Sequence, residues 1–205
     1  MMLVEAVIFD CDGVMFESRQ ANLAYYNIIL AKFGYPVVDA SQIEKAHLCH
    51  TASSPVVLAT LMEARDLDEA LSFADTVDYC EFIPLLVPEP NLTELLNQLS
   101  GQYKLAVATN RGHSIHTILD HFGLEGYFSV VVSRCEVENP KPAPDMLLLA
   151  AKQLNVKVER AVFIGDSKLD KMAANSAKIP FFSYGDSVSS EVSISNHLEL
   201  LHYLN

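Results

Sequence analysis

The fold is decided by residues 7–14, which read Val7-Ile8-Phe9-Asp10-Cys11-Asp12-Gly13-Val14. A short, apolar, β-branched run that ends in turn residues is typical of a strand buried in a parallel sheet. Because side chains i and i+2 of a strand point to one face, Asp10 and Asp12 are expected to project together. Two like charges held so close suit one acid as nucleophile and the other as proton donor and acceptor. Gly13 lets the chain turn away without a side chain in the site.

Composition limits the classes of function. The chain has 205 residues, 50% of them hydrophobic, which is enough for one α/β domain with an insertion. Its 26 acids against 14 bases give a net charge of −12, which argues against nucleic acid and anionic membranes as partners. Four scattered cysteines without a Cys-x-x-Cys pair predict neither a zinc site nor a disulfide framework. Without a leader-like or membrane-spanning segment, we expect a cytoplasmic protein.

Strand and helix patterns alternate along most of the chain, which predicts a parallel sheet covered by helices on both faces. The exception is a helical stretch of about 65 residues after the first strand, too long for an ordinary connection and therefore read as an insertion. Asn91 and Glu94, three positions apart, resemble a helix-starting capping pair. The predicted strands are 4–9, 104–108, 128–132, 161–164 and 180–183; the predicted helices are 21–33, 41–48, 55–64, 67–79, 91–99, 113–122, 144–154 and 169–177.

Polar side chains follow four of the predicted strands, where ligands bind in parallel sheets. Taken singly, each has an ordinary alternative: Thr109 and Asn110 as helix caps, Lys141 as a solvated loop lysine. Prolines on both sides of Lys141 stiffen its backbone and favour a site residue. The candidates after the four strands are Asp10 and Asp12; Thr109, Asn110 and Arg111; Lys141; and Asp166 and Asp170.

The chemistry that these groups suit is phosphoryl transfer. Four carboxylates at one rim would repel one another unless a cation neutralised them, and oxygen-only ligands favour Mg²⁺. A lysine, a hydroxyl and backbone N–H groups can hold phosphoryl oxygens. A carboxylate nucleophile would then form an acyl phosphate that water hydrolyses.

In their order, the four segments resemble the four motifs of the haloacid dehalogenase superfamily of phosphohydrolases. The resemblance implies an α/β fold with a Rossmannoid three-layer core, a parallel sheet, and a small helical cap inserted after the first strand. We therefore expect a core of residues 1–16 and 84–205 and a cap of residues 17–83. The matching segments are Phe9-Asp10-Cys11-Asp12-Gly13-Val14, Ala108-Thr109-Asn110, Lys141-Pro142-Ala143-Pro144-Asp145 and Gly165-Asp166-Ser167-Lys168-Leu169-Asp170.

The same resemblance implies a role for each matching residue. Asp10 would be the nucleophile, in contact with the phosphoryl group and with Mg²⁺. Asp12 would protonate the leaving oxygen, activate water and bind Mg²⁺ through its carbonyl. Phosphoryl contacts would come from Gly13, Thr109, Asn110 and Lys141. Asp166 would bind Mg²⁺ directly, and Asp170 would hold a metal-bound water or orient Lys141. An acid at position 12 favours phosphate esters over halides, because an alkoxide leaving group needs a proton.

The expected function is a Mg²⁺-dependent phosphatase acting on a small phosphorylated metabolite; neither the substrate nor the oligomeric state can be predicted. One alternative is a β-phosphoglucomutase-like phosphosugar mutase, although the predicted cap has few basic residues for a second phosphate. Another is a non-catalytic phosphometabolite-binding protein. The bases in the cap are Arg19, Lys32, Lys45 and Arg65.

Two further segments leave their roles open. Residues 47–55, rich in polar side chains, are expected to form a loop that either contacts substrate or is merely solvated, and His47 and His50 are a weak candidate metal pair. Arg111 and His113, just past the second motif, are expected either to contact substrate or to start a helix.

Overall fold

The computed structural model of the chain describes residues 3–204. Strands and helices alternate along it as the sequence predicts. The strands are β1 (Ala6–Phe9), β2 (Phe16–Glu17), β3 (Val87–Pro88), β4 (Lys104–Thr109), β5 (Val130–Ser133), β6 (Ala161–Gly165), β7 (Phe181–Tyr184) and β8 (Val192–Ile194). The helices are α1 (Arg19–Lys32), α2 (Ile43–Thr51), α3 (Ser54–Leu61), α4 (Leu67–Ala74), α5 (Leu92–Leu99), α6 (Ser114–His121), α7 (Asp145–Leu154), α8 (Lys168–Ala177) and α9 (Leu201–Leu204).

The chain divides into two compact units. The larger comprises the residues up to 17 together with those from 88 onward, and the smaller comprises residues 18–87. The boundaries predicted from sequence lie one residue earlier on the N-terminal side and four residues earlier on the C-terminal side. That the smaller unit acts as a cap stays a prediction.

The larger unit is built on a parallel sheet. Within residues 3–204, six strands form it in the order β5-β4-β1-β6-β7-β8, and every pair of neighbours is parallel. From β1 the chain runs outward through β4 to β5 and then returns to β6 on the other side. The strand order therefore reverses beside β1, which is where ligands bind in open α/β sheets.

Both faces of the central strand are buried. Ala6 and Ile8 pack in a cluster with Met146 and Leu147 of α7 and with residues of α8. Val7 and Phe9, which point to the opposite face, are also fully buried. An apolar run without alternation is therefore explained by helices that cover the sheet on both sides, and the predicted α/β class is confirmed.

The smaller unit is a helical cluster. Its core joins Ile29 and Leu30 of α1 to Val57 and Leu58 of α3. Helix α1 ends before Gly34, which adopts a left-handed backbone (φ +75°), as the sequence pattern predicts. The apolar spacing of α1 to α4 is thus explained by burial within this unit.

Two local predictions are wrong. Residues 47–55 are not a loop, because α2 extends to Thr51 and α3 begins at Ser54; Pro55 is tolerated there because it stands in the first turn of α3. Asn91 does precede α5, but it lies in the left-handed region (φ 63°) and its side chain makes no capping bond. Asparagine tolerates that backbone region, and this property rather than capping explains its place.

Two elements near the C-terminus were not predicted from the sequence. Strand β8 has only three residues among serines, and α9 has four. Segments this short carry too little periodicity to be recognised, and β8 is stabilised by pairing with β7.

Among the helices of residues 3–204, none combines the length and the hydropathy that a membrane-spanning helix requires.

A buried histidine supports the turn that follows the first motif. His197 is fully buried, and its Nε2–H donates to the Val14 carbonyl at 2.8 Å. Its ring stacks on Tyr184, with centroids 4.6 Å apart, and Nδ1 has no hydrogen-bond partner within the described residues. Burial lowers the pKa of His197 to about 4, only partly opposed by the bond to Val14.

This histidine makes stability depend on pH. In the unfolded chain the His197 imidazole binds a proton below pH 6.5, whereas in the folded chain it does so only below about pH 4. The free energy of unfolding therefore falls as the pH decreases from 6.5 to about 4. We expect the wild type to lose about 2 kcal/mol more between pH 7 and pH 5 than His197→Gln, which keeps a donor but does not titrate. Urea unfolding at both pH values measures the difference; equal losses in the two proteins would contradict the assignment.

Candidate active site

The first two site residues lie where β1 ends. Asp10 donates its backbone N–H to Ile164 of β6, at 2.9 Å, and this bond extends the ladder by one residue. Asp10 and Asp12 are both buried. Gly13 then turns the chain with φ +75°, and a Cβ on it would lie 2.1 Å from Oδ2 of Asp166. Glycine is therefore required at position 13 both by the backbone and by the close approach of Asp166.

The end of β6 supplies the second acidic pair. Ser167 begins α8 with a capping box, in which its hydroxyl accepts the N–H of Asp170 and its own N–H donates to the Asp170 carboxylate at 3.0 Å. The Ser167 hydroxyl also donates to that carboxylate, at 2.5 Å. Asp170 is thus fixed by the first turn of the helix that carries it. Although it caps the helix, Asp170 is fully buried.

The residues that follow β4 hold the loop that carries Lys141. The side-chain amide of Asn110 bonds both backbone groups of Lys141, donating to its carbonyl at 3.1 Å and accepting its N–H at 3.0 Å. The Thr109 hydroxyl is buried and accepts the N–H of Arg111 at 3.1 Å. Asn110 therefore acts on the lysine loop through its side chain, a contact that the motif pattern alone did not reveal.

Lys141 lies at the centre of the site. Its Nζ is 2.8 Å from Oδ1 of Asp10 and 2.6 Å from Oδ1 of Asp170, and 5.3 Å from the centroid of the Phe163 ring. Only 4% of the residue is exposed, so the alternative of a solvated loop lysine is wrong. Although burial opposes the charged form, the two carboxylates raise the pKa of Lys141 above its ordinary value.

The surroundings of Asp10 require more positive charge than Lys141 supplies. Burial and the nearby Asp170 raise the pKa of Asp10 well above its ordinary value, and Lys141 offsets only part of this. Oxygen atoms of Asp10, Asp166 and Asp170 lie within 4.8 Å of one another. Such a cluster of hard oxygen donors fits a divalent cation such as Mg²⁺.

One ion pair was not anticipated from the sequence. Arg111 Nη2 lies 2.5 Å from Oδ1 of Asp12, and both side chains are largely buried. The four carboxylates and the two cations Lys141 and Arg111 leave a formal excess of two negative charges. One divalent cation would balance that excess. The position of Arg111 beside a motif was the only signal, and it could not identify Asp12 as the partner.

The model of the family described as haloacid dehalogenase-like hydrolase matches residues 7–183. The chain belongs to this family. The match spans all four segments that carry the sequence resemblance, so the predicted family is confirmed.

Named relatives of this haloacid dehalogenase-like hydrolase include phosphatases. It is 32% identical to the phosphorylated carbohydrates phosphatase of Thermotoga maritima, over 86% of this chain and 82% of the relative. It is also 32% identical to a phosphoglycolate phosphatase of Salmonella choleraesuis, over 91% of this chain and 85% of the relative. A crystal structure of a subfamily IA hydrolase from Geobacter sulfurreducens superimposes with a TM-score of 0.85 at 36% identity, covering 98% of this chain and 100% of that one.

The structure brings together most of the predicted site residues. Asp10, Lys141 and Asp170 are joined directly, and Asp166 lies beside Asp10. The Asp12 side chain is held by Arg111 instead. His47 and His50 form no metal cluster within residues 3–204, and His50 Nδ1 lies 3.4 Å from the Ser18 hydroxyl. The catalytic and metal-binding roles of the site residues stay predictions.

We predict that Gly13→Ala impairs the metal site. The added Cβ would displace the Asp166 carboxylate, and the left-handed backbone would cost about 1–2 kcal/mol of stability. Mg²⁺ affinity, measured by titration calorimetry, should fall roughly 10- to 100-fold, as is usual when the support of a ligand is disturbed.

Gly34→Ala is the matched control, because Gly34 has the same φ of +75° and a Cβ added to it would meet no neighbouring atom within 4 Å. It should lose a similar amount of stability in urea unfolding and keep its Mg²⁺ affinity. Equal affinities in the two variants would show that Asp166 does not contribute to the metal site.

Proposed function

We propose that the chain is a Mg²⁺-dependent phosphatase that hydrolyses a small phosphate monoester through an aspartyl-phosphate at Asp10. The class, a phosphoric monoester hydrolase, is supported by the family match and by the phosphatase relatives. The observation that carries the mechanism is the buried Lys141 ammonium bound to both Asp10 and Asp170. A carboxylate that pairs with a buried cation, at the reversal point of the sheet, is placed to attack phosphorus.

The first step forms the covalent intermediate. A carboxylate oxygen of Asp10 bonds to phosphorus, the ester oxygen leaves with the electron pair of its P–O bond, and the protonated carboxyl group of Asp12 supplies the proton. In the second step Asp12 takes a proton from water, whose oxygen bonds to phosphorus and releases phosphate from Asp10. The two acids thus have separate roles, as their different partners Lys141 and Arg111 suggest.

The remaining residues would hold the phosphoryl group. Lys141 would neutralise its charge, and the Asn110 amide keeps the Lys141 backbone in place. The Thr109 hydroxyl accepts one hydrogen bond from Arg111 N–H and can direct its own proton to a phosphoryl oxygen. Donors fixed before the substrate arrives stabilise charge without reorganisation.

Asp10, Asp166 and the backbone carbonyl of Asp12 would hold Mg²⁺. When bound, the ion supplies positive charge that polarises the phosphoryl group and screens Asp10 from it. Asp170 is engaged by Lys141 and by Ser167, which favours an orienting role for it over direct ligation.

The smaller unit gives no support to the mutase alternative. Of its few basic residues, Arg65 pairs with Glu63 and Asp66, and the Lys32 ammonium lies over the Phe73 ring. A cytoplasmic location stays a prediction. The substrate is predicted only by its chemical class, a small phosphorylated metabolite.

The test is phosphate release from a panel of phosphate monoesters with Mg²⁺ and with a chelator. We expect chelation to abolish release. Asp10→Asn should reduce kcat by at least roughly 10³-fold, because an amide cannot replace the nucleophile, and Asp12→Asn by about 10²- to 10⁴-fold. Asp75→Asn, an exposed acid at the end of α4, is the matched control and should retain wild-type activity.

Full activity in Asp10→Asn would overturn the mechanism. Isomerisation that requires a bisphosphate activator would instead identify a mutase, and calorimetric binding of esters without turnover would identify a binding protein.

A further inference from the structure

Two arginines follow neighbouring strands on one side of the site. Arg111 comes after β4 and Arg134 comes after β5, and the N–H of Arg134 donates to the Arg111 carbonyl at 3.0 Å. Because β4 and β5 are parallel neighbours, both residues lie at the carboxyl edge of the sheet. The proposed chemistry uses neither guanidinium.

The Arg111 guanidinium forms an ion pair with the Asp12 carboxylate. The pair is largely buried, so an anion that takes Arg111 away from Asp12 must itself replace the charge that Asp12 provides. A planar guanidinium binds both carboxylates and phosphates, since each presents two oxygens to its fork. An anionic group on the substrate is therefore a suitable exchange partner for Asp12.

Arg134 offers a second donor set, next to the residue that follows Arg111. Its guanidinium lies along Gly112, where a Cβ would stand 3.6 Å from Nε and 3.7 Å from Nη2. The Nε donor is buried and has no hydrogen-bond partner among residues 3–204. A buried donor without a partner is costly and calls for an explanation, and a bound anion is one that a guanidinium supplies naturally.

We propose that Arg111 and Arg134 form an anion subsite that selects phosphate monoesters whose leaving group carries a second negative charge. The proposal rests on the proposed phosphatase function. The substrate anion binds Arg111 and Arg134, and the Asp12 carboxyl is released toward the leaving oxygen. A carboxylate and a second phosphate share the chemistry that this subsite recognises.

The experiment compares esters that differ only in that charge. 2-Phosphoglycolate and 2-hydroxyethyl phosphate have leaving groups of the same length, one anionic and one neutral; ethylene glycol bisphosphate separates phosphate from carboxylate recognition. We expect the wild type to favour at least one anionic ester over the neutral one in kcat/KM. Arg134→Gln should reduce that preference roughly 10-fold or more, mainly through KM, because it loses a charged hydrogen bond.

Arg111→Lys keeps a positive charge beside Asp12 but loses the planar fork, and it should reduce the preference as well. If it fails to fold, Arg134→Gln decides alone, because Arg134 is partly exposed. Arg160→Gln is the matched control. Arg160 pairs with Glu5 at the surface, at the amino ends of the strands, so this variant should keep the wild-type preference.

Three outcomes separate this proposal from the proposed function. A preference that falls in the Arg134 variant and not in the Arg160 variant supports the subsite. Hydrolysis of all esters with equal efficiency, or an unchanged preference in the Arg134 variant, overturns the subsite and leaves the phosphatase standing. No hydrolysis of any ester by the wild type overturns both.

Discussion

The site depends on one buried ammonium. Lys141 joins Asp10 at the end of β1 to Asp170 at the start of α8, and so ties together the two segments that flank the reversal point of the sheet. Without it, two carboxylates would be buried side by side with no counter-charge, and removing one partner of a buried pair typically costs about 3–5 kcal/mol. The same contact also opposes, in part, the rise in the pKa of Asp10 that burial and Asp170 cause.

The surrounding contacts serve to hold that ammonium in place. The Asn110 amide fixes the Lys141 backbone, the Ser167 capping box fixes Asp170, and Gly13 admits Asp166 to the cluster. Each is a local feature of a strand end or a helix start, and the parallel sheet brings them to one edge. All of them are made within the chain itself, and together they hold the acidic cluster in one arrangement.

The sequence was sufficient for the features that are local. The apolar run before Asp10 predicted β1, and the alternating pattern predicted the covered parallel sheet, because burial on both faces leaves a continuous apolar signature. The ion pair between Asp12 and Arg111 was not predictable in this way, since its partners are separated by 99 positions. The prediction for residues 47–55 was wrong for a related reason. Their polar side chains suggested a loop, but packing within the smaller unit stabilises helices there.

The most direct measurement is acid quenching of a single turnover with a phosphorus-labelled ester, followed by peptide mapping. The account predicts a hydroxylamine-sensitive acyl phosphate on the peptide that contains Asp10, absent in Asp10→Asn. Label on another residue, or complete turnover with no label on the protein at any quench time, would contradict it.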